Sequence, residues 1–193
     1  GKTEIADGDV AGILAKFNSD GRLLWQRTLI PTVPQTADKS LQWKSLHIEN
    51  SNPHNIYVIG ETVPNVGNLT HNPDIVVAKY QSGFNNANNP DGIIQWQRDI
   101  AGISGSTRRD YASSIRLDQD GRVMIAGYTD SNATAPDDMW VALMDIDGSI
   151  MEKRKIASAA ASEHLHQVEW RTDDTFLFTG ISDPAGAANI ILG

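Results

Sequence analysis

The sequence predicts an all-β protein, a β-propeller of four-stranded antiparallel blades that is incomplete in this chain. Three observations predict it: an internal repeat, an alternation of apolar and polar residues within each repeat, and links rich in Asn, Asp, Gly, Ser and Pro. Stacked repeats share one continuous core, and radially arranged sheets leave only short edges. We treat residues 1–193 as a single propeller segment, with repeat units of about 1–60, 61–127 and 128–180 and a partial unit at 181–193.

The first half of each repeat is an apolar strand, a turn and a second strand. Its turn glycine precedes an arginine by six positions, as Gly21 precedes Arg27, and a tryptophan stands between the two in the first two copies. Glu152 takes the place of that tryptophan in the third copy. We expect Trp25 and Trp96 to pack against a neighbouring blade from the outer strands. The three copies span 11–27, 74–98 and 138–154.

The second half of each repeat is another pair of strands. Apolar residues alternate with polar ones in the first strand of the pair, as Leu46 and Ile48 alternate with Ser45 and His47, and this period of two is typical of a half-buried strand. In the same register, residues 1–3 match the end of such a pair. The pairs span 44–62, 113–129 and 166–182, and their terminal glycines are Gly60, Gly127 and Gly180.

The chain supplies strands for about three blades, whereas about four to eight blades usually close a propeller. An open arc exposes apolar sheet faces at both ends. Residues 189–193 match the beginning of the strand at 74–78, so the sequence is expected to stop inside a strand. We therefore expect partners that cover these faces, either the remainder of a longer propeller or other copies of the chain.

The repeated strand–turn–strand segments resemble a known bacterial family, the SBBP-type β-propeller repeats. The resemblance is strongest at 14–25, 74–80 and 110–130. It implies a secreted or cell-surface location, while the absence of cysteine is compatible with both the cytoplasm and a bacterial exterior. It also implies a layout of the strands. Innermost strands are expected around 45–49, 113–118 and 166–171, and outermost strands at 23–29, 93–100 and 150–156.

Composition excludes several classes of partner and chemistry. The 16 Lys and Arg residues against 24 Asp and Glu give a net charge of −8, which opposes binding to nucleic acid. No apolar run is long enough for a membrane-spanning helix. The lack of cysteine excludes disulfides, thiol catalysis and cysteine-ligated metals.

Two groups of candidate site residues follow from the repeat. His47, Arg116 and Glu169 share one position of the inner strand and are expected to face a central channel, where Arg116 and Glu169 form a structural ion pair. The segments just before them are expected to form loops at one end of the propeller, where binding sites are common. These loops could hold an anionic ligand, a peptide or a sugar. The candidate binding residues are Trp43, Lys44, Arg108, Arg109, Asp110, Tyr111, His164 and His166.

Metal sites receive little support from the sequence. His164 and His166 alternate beside Glu163, but two histidines need a third ligand from another blade. The acidic turns at 18–21, 118–121 and 145–148 lack the further ligands of a calcium loop. We expect these turns to cap hairpins through bonds from Asp or Asn to the local backbone and through glycine at positive φ. No cofactor is expected, and calcium has no support beyond these turns.

The leading hypothesis is a noncatalytic binding or assembly module, because the familiar catalytic motifs are missing from the sequence. One alternative is an extracellular carbohydrate-active hydrolase or lyase, in which Asp110 and Glu163 act as acid and base. Another alternative is a structural subunit of a filament or ring. The ligand is expected to be a glycan or a peptide.

Overall fold

The computed structural model describes residues 1–4, 10–30, 40–50, 54–62, 74–82, 92–100, 109–130, 136–156, 161–171, 175–184 and 189–192. All regular elements in these residues are β-strands, which confirms the predicted all-β class. None of the described residues forms a helix that could span a membrane. The strands are β1 (Lys2–Glu4), β2 (Val10–Phe17), β3 (Leu23–Leu29), β4 (Leu41–Ile48), β5 (His54–Thr62), β6 (Ile75–Ser82), β7 (Ile93–Ile100), β8 (Arg109–Leu117), β9 (Val123–Asp130), β10 (Asp138–Met144), β11 (Ile150–Ile156), β12 (Ala161–Trp170), β13 (Phe176–Pro184) and β14 (Asn189–Leu192).

The strands form four antiparallel sheets in chain order. The first sheet is β1-β2-β3, the second β4-β5-β6-β7, the third β8-β9-β10-β11 and the fourth β12-β13-β14. Four-stranded antiparallel sheets are thus confirmed for the two central sheets. The sheets lie out of phase with the predicted repeat units, because the boundary at Gly60 falls inside β5, within the second sheet.

One register recurs in the last three sheets. In each, a glycine lies opposite a residue of the first strand of the sheet: Gly60 lies opposite Trp43, Gly127 opposite Ala112 and Gly180 opposite Leu165. We use inner strand as a name for β4, β8 and β12, the first strands of these three sheets, and outer strand for β3, β7 and β11, the last strands of the first three sheets. The register shifts directly after that pair, as a β-bulge with one extra residue on the inner strand requires. A side chain at the glycine would collide with the inner strand's backbone, which explains why the repeat carries glycine there. The residues skipped by the register are Lys44, Ser113 and His166.

The central sheets are apolar on both faces. In the second sheet, Val58 and Val76 pack toward the first sheet, whereas Ile59 and Val77 pack toward the third. The alternating side chains of a strand point to opposite faces, so a strand that is apolar throughout requires a neighbour on each side. The sheets accordingly stack face to face through three buried clusters. Those clusters join the first sheet to the second, the second to the third, and the third to the fourth.

A tryptophan and an arginine from an outer strand hold the turn of the next sheet. Trp25 packs over Gly92, and the Nε of Arg27 donates to the Gly92 carbonyl at 3.0 Å. One sheet further, the Trp96 indole N–H donates to the Ile146 carbonyl at 3.1 Å. In each case the guanidinium lies over the indole of its own strand. We call this arrangement the tryptophan–arginine clamp, and it confirms the predicted packing of both tryptophans on a neighbouring sheet.

The third copy of the clamp is different. Glu152 replaces the tryptophan, and its Oε1 accepts a hydrogen bond from the Nε of Arg154 at 2.6 Å. Both side chains are exposed. The third sheet therefore lacks the large apolar side chain that, in the first and second sheets, covers the turn of the next sheet.

Replacing the glycine opposite the inner-strand bulge should destabilise the protein far more than replacing a turn glycine. A Cβ added to Gly127 would collide with the Tyr111 carbonyl and lie 2.6 Å from Cζ2 of Trp140, whereas one added to Gly21 meets nothing within 4 Å. We expect Gly127→Ala to lower the free energy of unfolding by about 3 kcal/mol through overpacking. Gly21→Ala should cost about 1 kcal/mol, since its φ of 79° disfavours a side chain. Urea denaturation measures both, and equal losses would contradict this account.

Candidate functional site

The candidate binding residues lie in strands and not in loops. Lys44 lies in β4, residues 109–111 lie in β8, and His164 and His166 lie in β12. The loop placement predicted for Trp43, Lys44, residues 109–111 and His164 is wrong, because the inner strands begin earlier than the sequence pattern indicated. His166 was predicted in a strand and lies in one. Arg108 lies outside the described residues.

Trp43 is a core residue. Its side chain is buried in the cluster between the first and second sheets, where Leu41 and Leu14 are also buried. It also stands against Gly12, where an added Cβ would lie 2.7 Å from the indole nitrogen. Trp43 therefore contributes packing between sheets and offers no open aromatic surface to a ligand.

Three aromatic rings, one each from β8, β9 and β12, form a continuous stack. Tyr111 and Tyr128 are directly opposite on β8 and β9, with ring centroids 4.8 Å apart and planes at 16°. The His164 ring stacks on Tyr128 from the fourth sheet at 4.1 Å and 23°. Tyr128 is absent from the sequence-based set, although its position opposite Tyr111 on a predicted hairpin is a usable signal. We call Tyr111, Tyr128 and His164 the ring stack.

Asp137 fixes the histidine of the ring stack. Its Oδ2 lies 2.7 Å from Nε2 of His164, and its carbonyl accepts the backbone N–H of Glu163 at 2.9 Å. Its own N–H donates to the Ser162 hydroxyl at 3.3 Å. Asp137 precedes β10 in the third sheet, while its three partners belong to β12 in the fourth. The predicted binding residue His164 is thus part of a cross-sheet link that sequence reasoning did not identify.

The surroundings of Tyr128 move the pKa of its hydroxyl further above the ordinary value of 10. Burial is the main cause that raises the pKa of Tyr128, and Tyr111, Glu61, Asp137 and Asp130 raise it further. The site therefore offers a neutral phenol as donor and acceptor, and no phenolate at physiological pH.

Glu61 links the second sheet to the third beside the ring stack. Its carboxylate is buried and lies 2.6 Å from Nζ of Lys44, and it accepts the backbone N–H of Ala112 at 3.3 Å. Burying a carboxylate is favourable only when it is paired and hydrogen-bonded in this way. Lys44, predicted to bind a ligand, instead neutralises this buried acid.

The two carboxylates suspected of catalysis are buried. Asp110 accepts a hydrogen bond from the Thr129 hydroxyl at 2.9 Å, across the β8–β9 pair. Glu163 occupies the same register in β12, opposite Ser182, and is also buried. Their burial favours a structural use, since hydrolysis of a glycoside needs carboxyl groups that reach the substrate.

His47, Arg116 and Glu169 occupy one register on successive inner strands. The Nε of Arg116 donates to Oε2 of Glu169 at 2.8 Å, so the predicted ion pair forms. Burial, followed by the nearby Arg116, lowers the pKa of His47, while Glu169 and Glu49 act in the opposite direction. That these residues line a channel remains a prediction.

No cluster of three or more metal-ligating side chains occurs in the part of the chain that the structure describes. The predicted sharing of a face by His164 and His166 depended on regular alternation. The bulge between Leu165 and Gln167 breaks that alternation, and His166 is exposed beside the fully buried Leu165.

The acidic turns cap hairpins, as predicted. In each turn a side-chain oxygen accepts backbone N–H groups two and four residues further on. The acceptors are Asn18, Asp118 and Asp145. The glycines that follow have φ near 80°, the left-handed region that glycine tolerates best. In each turn, one side-chain oxygen thus caps the backbone of the hairpin.

The comparison with known proteins adds no family. No protein-family model matches the chain, and no curated protein matches it. The likeness to SBBP-type repeats therefore rests on the residues quoted above.

The lowered pKa of His47 predicts a pH dependence of stability. A histidine whose folded-state pKa lies below its usual 6.5 takes up a proton more readily when unfolded, so protonation favours unfolding. Relative to His47→Gln, the wild type should lose free energy of unfolding as the pH falls through about 6.5. The difference between the two should be constant at higher pH.

Urea denaturation at a series of pH values measures this difference. Arg116→Gln provides the control, because removing the neighbouring cation should weaken the dependence without deleting the histidine. A difference between wild type and His47→Gln that is independent of pH would refute the assignment.

Proposed function

We propose that the chain is a β-propeller segment that acts as a noncatalytic binding and assembly module of a secreted or cell-surface bacterial protein. The proposed location rests on the resemblance of its repeats alone. The assembly role is carried by one observation, the exposure of apolar side chains on the outward faces of the first and fourth sheets, where the same positions of the central sheets are buried.

The propeller part of the proposal is supported by the repeated relation between sheets. Each sheet stacks on the next in chain order, and the first strand of each later sheet is part of the cluster that joins it to the sheet before: β4 in the first cluster, β8 in the second and β12 in the third. The tryptophan–arginine clamp recurs at the outer strands of the first two contacts. Repetition of one relation between similar sheets generates a circular arrangement when the rotation closes.

The assembly part is supported by the two outward faces. Phe17 is 57% exposed on the first sheet, although Tyr80 and Met144 at the same register are buried against a preceding sheet. Leu177 is 47% exposed on the fourth sheet, although Tyr57 at its register is fully buried. Paired apolar faces of this kind mark surfaces that associate with protein.

The noncatalytic part is supported by the structural roles of the polar side chains. Asp110 and Glu163 are buried, and His164 is held by Asp137. These groups tie strands and sheets together. A peptide or glycan would then be bound by surfaces and grooves instead of being transformed.

The assembly role predicts self-association or capture of further propeller segments through the outward faces. We expect the chain to associate in sedimentation velocity, and expect Phe17→Glu and Leu177→Glu each to weaken that association at least tenfold. Burial of one such side chain is worth about 1.5–3 kcal/mol, which corresponds to roughly tenfold to a hundredfold in affinity.

Leu24→Glu is the matched control, because Leu24 is about as exposed as Phe17 but lies on the outer strand β3. Its association should equal that of the wild type. A compact chain that stays monomeric at every concentration and binds no other propeller segment would refute the proposal.

A further inference from the structure

A crevice separates the ends of two neighbouring inner strands. It has a volume of about 490 Å³ and lies between the end of β4 in the second sheet and the end of β8 in the third. Both sheets have a neighbouring sheet on each face, so the crevice does not lie on an outward face of the stack. We call it the inner crevice. It is lined by His47, Ile48, Glu49, Asn50, Leu117, Asp118, Gln119 and Gly121.

The corresponding position in the next sheet contact carries larger groups. Trp170 occupies on β12 the register that Leu117 occupies on β8, and it packs on the cluster between the third and fourth sheets. The Arg116–Glu169 ion pair spans that contact at the neighbouring position. Between the second and third sheets, Leu117 is smaller than an indole, and the residues at the register of the ion pair are His47 and Arg116. These two differences leave the space of the inner crevice.

Glu49 is a half-buried acid in this lining that lacks a cationic partner. The Nδ2 of Asn55 donates to its Oε2 at 2.6 Å, and no ion pair joins Glu49 to a Lys, Arg or His in the described part of the chain. The second acid of the lining, Asp118, is paired with Arg122 and caps its own turn. Burying a carboxylate is unfavourable unless it is paired. A cation that enters the crevice is therefore expected to bind at Glu49.

The side chains nearest Glu49 do not supply that cation. Burial, followed by the charge of Arg116, lowers the pKa of His47, so its ring is neutral at pH 7. The Tyr57 hydroxyl is fully buried and has no hydrogen-bond partner within 3.5 Å. Burial, followed by the charge of Glu49, raises the pKa of Tyr57. The carboxylate thus lies between two neutral groups.

We propose that the inner crevice binds a primary alkylammonium group, with the ammonium at the carboxylate of Glu49 and the alkyl stem against Ile48 and Leu117. An ammonium has three N–H donors, and its hydrogen bond to a carboxylate is about twice as strong as one between neutral groups. The described lining contains no Lys or Arg that would repel it. This inference deepens the proposed binding role and rests on it.

Two sources supply this chemistry. One is a free alkylamine, and the other is a lysine side chain of a partner protein, which carries the same ammonium on a flexible four-carbon stem. Both place a compact charge at the end of an apolar chain. The inner crevice matches that sequence of groups, because its acid lies beside the apolar side chains of Ile48 and Leu117.

The first test is a titration of the isotope-labelled chain with n-butylammonium chloride at constant ionic strength. NMR should show saturable shifts of the Leu117 methyl and His47 ring resonances, with a dissociation constant on the order of 1 mM. n-Butanol has the same stem without the charge and should bind roughly tenfold more weakly. Absence of saturable shifts, or equal binding of the two compounds, would overturn the inference.

Variants of the chain locate the site. Glu49→Gln should weaken binding roughly tenfold. Asp120→Asn is the matched control, because Asp120 is an exposed acid of the neighbouring turn outside the lining, and its binding should stay within about twofold of the wild type. Gln119→Trp, at an exposed position of the lining, should narrow the crevice and weaken binding without depending on Glu49. Urea midpoints confirm that the variants fold, and binding that neither Glu49→Gln nor Gln119→Trp changes would contradict the site.

A tripeptide with a central lysine, compared with its norleucine counterpart, distinguishes the two sources. Binding of the lysine peptide, but not of the norleucine peptide, assigns the crevice to a lysine of a partner protein. Binding of n-butylammonium without the lysine peptide assigns it to a free amine. Either result supports the proposal. Calcium that displaces the amine and shifts the same resonances would assign the crevice to a metal ion and overturn it.

Failure of this inference can be separated from failure of the proposed function. A chain that self-associates through Phe17 and Leu177 but binds no amine would overturn the crevice site and leave the assembly role intact. A monomer that binds n-butylammonium through Glu49 would contradict association through the outward faces and leave the crevice site intact.

Discussion

The two central sheets are apolar on both faces, and the rest of the structure depends on this constraint. Val58 and Ile59 are adjacent in β5, point to opposite faces and are both buried. Such a sheet loses a large hydrophobic free energy if either face meets water, at about 25 cal/mol per Å² of apolar surface. A neighbour on each side is therefore required. The stacking of sheets in chain order, and the exposed apolar residues of the first and fourth sheets, both follow from it.

Polar groups set the relation between the stacked sheets. The Val10 N–H donates to the Ser40 hydroxyl at 3.0 Å between the first two sheets, and the Asp137 N–H donates to Ser162 at 3.3 Å between the last two. Hydrogen bonds between specific atoms give direction to a contact that hydrophobic burial alone would leave loose. The candidate site residues take part in the same task, since Glu61 and His164 each bridge two sheets.

The sequence was sufficient for what is local and periodic. Turn capping by Asp118, the packing of Trp96 on a neighbouring sheet and the Arg116–Glu169 pair all follow from spacing and register. It was insufficient across the inner-strand bulge, where the period of two is interrupted. The burial of Trp43 was missed for this reason.

Contacts between sheets were the other limit of the sequence. Asp137 meets His164 only because the start of one strand lies beside the inner strand of the next sheet. The distance between the Asp137 carboxylate and the His164 ring depends on how the third and fourth sheets pack. The residue pattern of either strand alone does not indicate it.

The most direct test of the account is a set of inter-sheet nuclear Overhauser effects. The stacked arrangement predicts contacts from the Trp25 ring to the Gly92 Hα and from the Trp96 ring to the Gly148 Hα. It also predicts a contact between the Tyr128 and His164 rings, whose centroids are 4.1 Å apart. If the contacts within each sheet were observed and these three were absent, the sheets would not stack in chain order and the account would be contradicted.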